Sequence, residues 1–430
     1  MKRLVVIGNG MAGMKAVDEL ITAAPDKYSI TVFGAEPYGN YNRIMLSPVL
    51  CGEKTIEDIM INDRQWYTDN NIVLHAGQDK EVVEINRSSK TVIAKDGTEA
   101  AYDRLLIATG SNPFILPIPG HELEGVIAFR DVYDVNKMLS YSEHKTYAVV
   151  LGGGLLGLEA ANGLVQRGMH VTVIHSNEVL LNRQLDSTAG HLLKFELEKR
   201  GVHFKLPAKT QTLVDNGQGH VKSVTFEDGS ELPCDLFVMA IGVRPNMALA
   251  KRAGIYCEKG IVVSDTLQTY DPTIYAVGEC IQHRDDTFGL VAPLFEQAKV
   301  CANHLSGHGV AEFKTLPSAT KLKVTGINLF SLGDFNGDET CDIIRFSDPS
   351  AGIYKKLVIK NQHIIGLVLY GATSDGAWYQ SLLEQRINIE EMREYLIFGQ
   401  AYFQQNLERQ QNLERQQNLE SQQNLAAGEI

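Results

Sequence analysis

Short apolar runs that stop at glycine set the rhythm of the first two thirds of this chain. Leu4-Val5-Val6-Ile7 ends at Gly8, and Tyr147-Ala148-Val149-Val150-Leu151 ends at Gly152. Each run predicts a strand. Beyond the first glycine loop, Met14, Ala16, Val17, Leu20 and Ile21 recur at spacings near three and four, the period of a helix with one buried face. Gly157-Leu158-Glu159-Ala160-Ala161 opens the corresponding helix beyond the second. A further strand follows each helix: Ser29-Ile30-Thr31-Val32-Phe33 in the first copy and His170-Val171-Thr172-Val173-Ile174-His175 in the second. The unit strand, glycine loop, helix, strand therefore occurs twice, at 1–36 and 147–175.

Between and beyond the two units the pattern repeats again. Tyr102 to Ser111 reads as a strand closing on a turn at Gly110, followed by the proline-rich linker Pro113–Gly120. Leu236 to Gly242 reads the same way, with Val243-Arg244-Pro245-Asn246 behind it. The second unit is thus expected as an insertion into the first, with crossovers near 117 and 240. Thr273-Ile274-Tyr275-Ala276-Val277-Gly278-Glu279 signals the return. The predicted organisation is one domain from 1–117 with 240–312, an inserted domain over 118–239, and a small α+β domain over 313–400. In that last domain, strands are expected at 321–324, 341–346, 354–359 and 364–371, and helices at 378–384 and 389–395. Residues 404–409 then recur as 410–415, 416–421 and part of 422–425. Six residues advance a helix by about 1.7 turns, so the repeated leucines share no face. A polar, low-complexity, mobile tail is expected over 401–430.

The loops carry candidate chemistry. Gly8-Asn9-Gly10-Met11-Ala12-Gly13 and Gly152-Gly153-Gly154-Leu155-Leu156-Gly157 both read G-x-G-x-x-G, each between a strand and a helix. In that setting the glycines bring backbone N–H groups and a positive helix end against a dinucleotide pyrophosphate. Glu36 lies 23 residues past Gly13, close to the ~20 expected of an acid that holds ribose hydroxyls. His175 occupies that place in the second unit, and the nearest arginine that could grip a 2′-phosphate is Arg183, which favours NADH over NADPH. Two dinucleotides in one chain suggest a resident and a visitor: a flavoprotein reduced by a nicotinamide cofactor.

Bulk properties narrow the setting. The formal charge of −12 argues against nucleic acid and anionic membranes as partners. No apolar run approaches the ~20 residues of a membrane span, and the apolar start is broken at Gly8-Asn9-Gly10 before any leader cleavage site. A cytoplasmic protein is expected. The six cysteines stand singly at 51, 234, 257, 280, 301 and 341, which excludes a local dithiol, zinc or iron–sulfur motif. His304, His308 and His363 have no metal-ligand spacing, so no metal site is expected.

These pieces, in this order over residues 1–310, resemble the FAD-dependent pyridine nucleotide–disulfide oxidoreductase superfamily. The resemblance implies an α/β fold of two nested Rossmann-like, glutathione-reductase-type domains plus the small α+β domain. Within the superfamily the rubredoxin and ferredoxin reductases are similar. More similar still is the N-terminal flavin module of the NAD(P)H nitrite reductase large subunit. Gly39 to Ser47, the stretch His175 to Asp186, Gly278-Glu279-Cys280 and Phe288 to Pro293 carry that likeness. It implies that FAD lies on Gly8, Gly10, Gly13, Glu36 and the Thr109-Gly110 turn, with Gly278-Glu279 at the ribityl chain. Arg43 and Arg130 are implied as flavin-contacting cations. The nicotinamide dinucleotide is implied on Gly152, Gly154, Gly157, His175 and the Gly242 turn, with Glu159 near its ring. Glu159 and Arg43 are the candidate catalytic residues.

The sequence departs from its relatives in two informative ways. Disulfide-reducing members carry a cysteine pair that is missing between Arg43 and Ile61, and Pro48 stands where ferredoxin reductases often place a flavin-contacting lysine. The resemblance then implies electron transfer from NAD(P)H through FAD to an external iron–sulfur or rubredoxin-type acceptor, as the input module of nitrite reduction. The iron–sulfur and sirohaem domains of the full large subunit have no counterpart in this sequence. A homodimer built on the small C-terminal domain is a further implication. Two other readings stay open: an oxidase or small-disulfide reductase using O₂ or Cys51, and a non-enzymatic flavin-bearing interaction subunit.

Overall fold

The computed structural model of the protein describes residues 1–315, 320–324 and 326–427. It divides into two compact units: Met1–Glu178 with Glu198–Leu316, and Val179–Leu197 with Pro317–Ile430.

The first unit contains two five-stranded parallel sheets. One takes its strands in the order Ile274–Ala276, Arg104–Ile107, Lys2–Ile7, Tyr28–Gly34, Val73–Ala76. The other runs Val126–Ala128, Leu236–Met239, Tyr147–Leu151, His170–Ile174, Val202–Lys205. Four strands correspond in order between the two sheets, with the glycine-loop strand at the centre of each; the fifth, at the edge, follows those four in the chain in the first sheet and precedes them in the second. Central strands of parallel sheets bury both faces, which is why these segments read as unbroken apolar runs. Leu4, Val6, Val150, Leu105 and Leu106 are fully buried, each contributing on the order of 1.5–3 kcal/mol relative to exposure.

The last strand of the first sheet, Ile274–Ala276, comes from beyond the second sheet and pairs with Arg104–Ile107. Where the chain crosses between the folds, Ser111–Pro113 pairs antiparallel with Val243–Pro245, and the Asn246 N–H donates to the Gly110 carbonyl at 2.9 Å. Two small antiparallel sheets, at 82–101 and 210–233, were not expected from the apolar pattern. Their strands are short and alternate only partly.

The second unit holds a five-stranded antiparallel sheet in the order Thr320–Val324, Ile327–Gly333, His363–Tyr370, Ile353–Lys360, Asp342–Asp348. Helix Gly376–Glu384 packs on it through Tyr379 and Leu382, against Phe330, Leu357, Leu367 and Leu369. The helix expected at 389–395 does not form. Single 3₁₀ turns at Glu390–Met392 and Leu396–Phe398 replace it. The segment lies between Arg386 and Gly399, both at positive φ, and must bury Ile389, Leu396 and Ile397 within that span.

The expected mobile tail is also corrected: Gln400–Ala427 is one helix. It contains no glycine or proline, and its Gln, Leu, Glu, Arg and Ala are good helix formers. The six-residue period does keep its leucines apart: Leu407 and Leu413 are 42% and 57% exposed. Residues 428–430 lie outside the described residues. Among the described residues, no helix is long and apolar enough to cross a membrane.

Candidate functional site

Within each glycine loop the three glycines meet three different demands, and the two loops match. A Cβ on Gly8, at φ +113°, would stand 2.1 Å from the Ala108 carbonyl oxygen; on Gly152, at φ +130°, it would stand 2.3 Å from that of Ala240. Only glycine lets the loop pass that closely over the neighbouring strand end. A Cβ on Gly13 would meet the Ala108 methyl at 2.8 Å, and one on Gly157 the Gly152 carbonyl oxygen at 2.1 Å, so the third glycine lets helix and loop pack.

The middle glycines are different. Gly10 and Gly154 are helix N-caps with φ of −86° and −85°, and a Cβ on either would meet nothing within 4 Å. Neither helix start carries a side-chain cap or an acid in its first turn. Free N–H groups and a positive helix end thus face open space, a cradle that a side chain would fill and a pyrophosphate fits. The Gly110 and Gly242 turns, at φ +67° and +116°, follow the equivalent strands of the two sheets.

Charged residues expected separately around the first loop form a connected cluster. Glu36, two residues beyond Tyr28–Gly34, accepts from Tyr41 Oη and from Arg43 Nη2, both at 2.7 Å. Both Glu36 oxygens thus carry protein donors, so ribose hydroxyls would use their remaining lone pairs. Arg43 Nη1 donates to the Arg130 carbonyl at 2.7 Å. Burial opposes the Arg43 charge, yet Tyr41 and Glu36 facing it hold its pKa above the usual value. Arg130 Nη2 pairs with Glu279 Oε2, which also accepts from Ser111 Oγ at 2.8 Å. The capping box of helix Val132–His144, formed by Asp131 and Asp134, fixes the Arg130 backbone: its N–H donates to Asp134 Oδ2 at 2.7 Å.

The neighbouring turns are pinned as well. Thr109 Oγ1 donates to the Asn246 carbonyl at 2.6 Å, and the Gly278 N–H to Oε1 of the fully buried Gln297 at 2.8 Å. Cys280 is fully buried, its thiol pushed up to about 11.

At the second loop, Glu159 lies on helix Leu155–Gln166, which begins at the loop. Its Oε2 accepts from Ser47 Oγ at 2.6 Å, and burial pushes its carboxyl up to about 7 against that hydrogen bond. Ser47 belongs to helix Leu46–Cys51, which reaches over from the first fold. At the end of that short helix, burial raises the Cys51 thiol, and Asn162 Nδ2 lies 3.8 Å from its sulfur. His175 directly follows strand His170–Ile174, and its carbonyl accepts from the Ala208 N–H at 2.7 Å. Among the described residues, no group of three or more His, Cys, Asp or Glu could hold a metal.

Reasoning from sequence missed Ser47, Tyr41, Ser111 and Asn246. Ser47 and Ser111 meet partners 112 and 168 residues away, and no local pattern reports such contacts. Tyr41 and Ser47 do fall inside the Gly39 to Ser47 stretch that had already drawn notice, the one available signal.

Comparison with known proteins agrees with this geometry. The chain matches the pyridine nucleotide-disulphide oxidoreductase family over residues 2–304, and the rubredoxin NAD+ reductase C-terminal domain over 317–387. It is 48% identical over 390 residues to the Bacillus subtilis nitrite reductase [NAD(P)H], covering 91% of this chain and 48% of that protein. It is 42% identical over 386 residues to the assimilatory nitrate reductase electron transfer subunit of the same organism, covering 90% and 50%. The chain therefore spans about half the length of these relatives. Among solved structures, a covalent putidaredoxin reductase–putidaredoxin complex aligns with a TM-score of 0.79 at 26% identity, over 90% of this chain and 94% of that one. The chain belongs to the pyridine nucleotide-disulphide oxidoreductase family, as an FAD- and NAD(P)H-binding oxidoreductase with two Rossmann-type domains and a small C-terminal domain.

Proposed function

We propose that this protein is an electron-input module. It takes electrons from NAD(P)H, with NADH favoured, and passes them through FAD to an iron–sulfur or rubredoxin-type acceptor in nitrite or nitrate assimilation. The carrying observation is the pair of open glycine cradles, alike in all three positions, within one compact unit. When bound, FAD supplies a centre that accepts a hydride and releases electrons singly. The half-length likeness to a nitrite reductase and to a nitrate reductase electron transfer subunit motivates the pathway. The six free cysteines, with no pair among them, favour an external acceptor over an internal disulfide.

In this reading residues 1–117 and 240–312 hold FAD, 118–239 the nicotinamide cofactor, and 313–400 form a domain that supports a homodimer. Gly8, Gly10 and Gly13 receive the FAD pyrophosphate, and Thr109, Gly110 and Gly278 line its path. Glu36 takes the ribose with Arg43 held against it, while Arg130 and Glu279 orient the flavin end. Gly152, Gly154, Gly157, Gly242 and His175 receive the visitor, and Glu159 stands by its ring.

Anaerobic stopped-flow mixing with NADH tests the reading. Flavin absorbance is expected to bleach within the turnover time and to return when an oxidised iron–sulfur or rubredoxin-type protein is added. Flavin that stays reduced in the presence of every such acceptor would refute it.

A further inference from the structure

Ser47 and Glu159 belong to different nucleotide folds, yet their side chains form one partly buried hydrogen bond. Helix Leu46–Cys51 lies across helix Leu155–Gln166 so closely that a Cβ on Gly163 would stand 2.7 Å from Leu50 Cγ, and Arg167 Nε donates to the Leu50 carbonyl at 2.7 Å. Ser47 Oγ crosses this seam to Glu159 Oε2 at 2.6 Å. On helix Leu155–Gln166, Glu159 is the sole titratable residue. The elements packed against that helix bring Cys51 from Leu46–Cys51, Tyr147 from Tyr147–Leu151, His170 from His170–Ile174, and His203 and Lys205 from Val202–Lys205; Leu236–Met239 brings none. Arg167, at the helix C-cap, is occupied with the Leu50 and Val49 carbonyls. Of all these, the Cys51 thiol responds to the Glu159 charge, but burial and the Ser47 hydroxyl are what set the ionisation of Glu159 itself.

We infer that Ser47 is a positioning residue for the second nucleotide site: its hydroxyl holds the Glu159 carboxyl and sets the pH at which that carboxyl ionises and favours oxidised over reduced nicotinamide. The electrostatics run one way. An ionised carboxylate near the ring favours the cationic oxidised form, while a protonated carboxyl has no such preference. A donated O–H stabilises the ionised form, so its loss raises the pKa. The inference rests on the functional reading above, in which the second loop holds the nicotinamide cofactor.

The test uses the full chain with its flavin. Infrared spectra taken across a pH series assign to Glu159 the protonated-carboxyl band that vanishes in Glu159→Gln. In the native protein the midpoint of that band is expected at about 7. In Ser47→Ala it should rise by about one pH unit, the worth of a hydrogen bond to a charged group, and Ser47→Thr should restore it. The affinity ratio of NAD+ to NADH, read by fluorescence titration, should climb several-fold through the same midpoint in the native protein, follow the displaced midpoint in Ser47→Ala, and stay flat in Glu159→Gln. A midpoint indifferent to Ser47, or a native affinity ratio that ignores pH, overturns the inference. If neither nucleotide binds at any pH, the functional reading falls and this inference with it.

Discussion

Arg43 reaches two parts of the chain at once: its guanidinium donates to Glu36, just beyond the second strand of the first fold, and to the Arg130 carbonyl, just before helix Val132–His144. The Glu36–Arg43 pair keeps roughly a quarter of its side-chain surface in water. Its value therefore lies between an exposed pair and a buried one. Glu36→Gln should lower stability by about 1–2 kcal/mol and leave the chain with less than its full complement of FAD after gel filtration. An unchanged urea midpoint together with full flavin would show that Arg43 does not depend on Glu36.

The glycine loops give an ordered set of outcomes. Gly8→Ala should not yield folded protein, because its Cβ would collide with the Ala108 carbonyl and φ +113° is closed to alanine. Gly10→Ala should fold normally, since its φ of −86° suits alanine and its Cβ meets nothing, but it should emerge without FAD. Gly154→Ala should fold, keep FAD and lose NADH-driven bleaching. Absorbance spectra and circular dichroism of the three variants decide the matter. Full flavin in Gly10→Ala would mean that the first cradle is not the FAD site.

Cys51 is the test of a thiol mechanism. Burial, with the Glu53 charge nearby, raises its pKa, and thiolate character is what a redox cysteine requires. Cys51→Ser should leave NADH turnover with a one-electron acceptor within about a factor of two. A loss of a hundredfold would restore the disulfide-reductase reading.

The Glu159 carboxyl also makes a stability prediction. Its folded pKa of about 7 exceeds the ~4.3 of an unfolded glutamate. The native state therefore holds more protons between those values, and stability falls as pH rises through that window. Glu159→Gln, which cannot ionise, should be more stable than the native chain above pH 7, by up to about 3 kcal/mol. The advantage should vanish below pH ~4. Urea melts at three pH values measure this, and an equal difference at all three would contradict it.

How far the chain could be read depended on the range of the interactions involved. Both glycine loops, the helices that follow them and the strands before them were legible, because each is local: an unbroken apolar run or a pattern of period 3.6, set off by glycine. The inserted second unit was legible as well, from the repeat of Tyr102 to Ser111 in Leu236 to Asn246. The strand Ile327–Gly333 was missed because its apolar residues are interrupted by Asn328 and Ser331, and Ile389 to Tyr395 misled because Ile389, Met392 and Tyr395 recur at a spacing of three that single turns also satisfy. The tail repeat was misjudged from its polarity, although polarity does not forbid a helix that lacks glycine and proline.

The sequence alone determined two matching glycine cradles in one chain, since loop glycines act through their own backbone and immediate neighbours. It also determined that no local dithiol accompanies them. Tertiary structure decided which side chains meet: Arg43 with Glu36, Arg130 with Glu279 and Ser111, and Ser47 with Glu159. Those partners lie as far as 168 residues apart. They are brought together by the stacking order of strands and the crossing of helices, which no window along the chain contains.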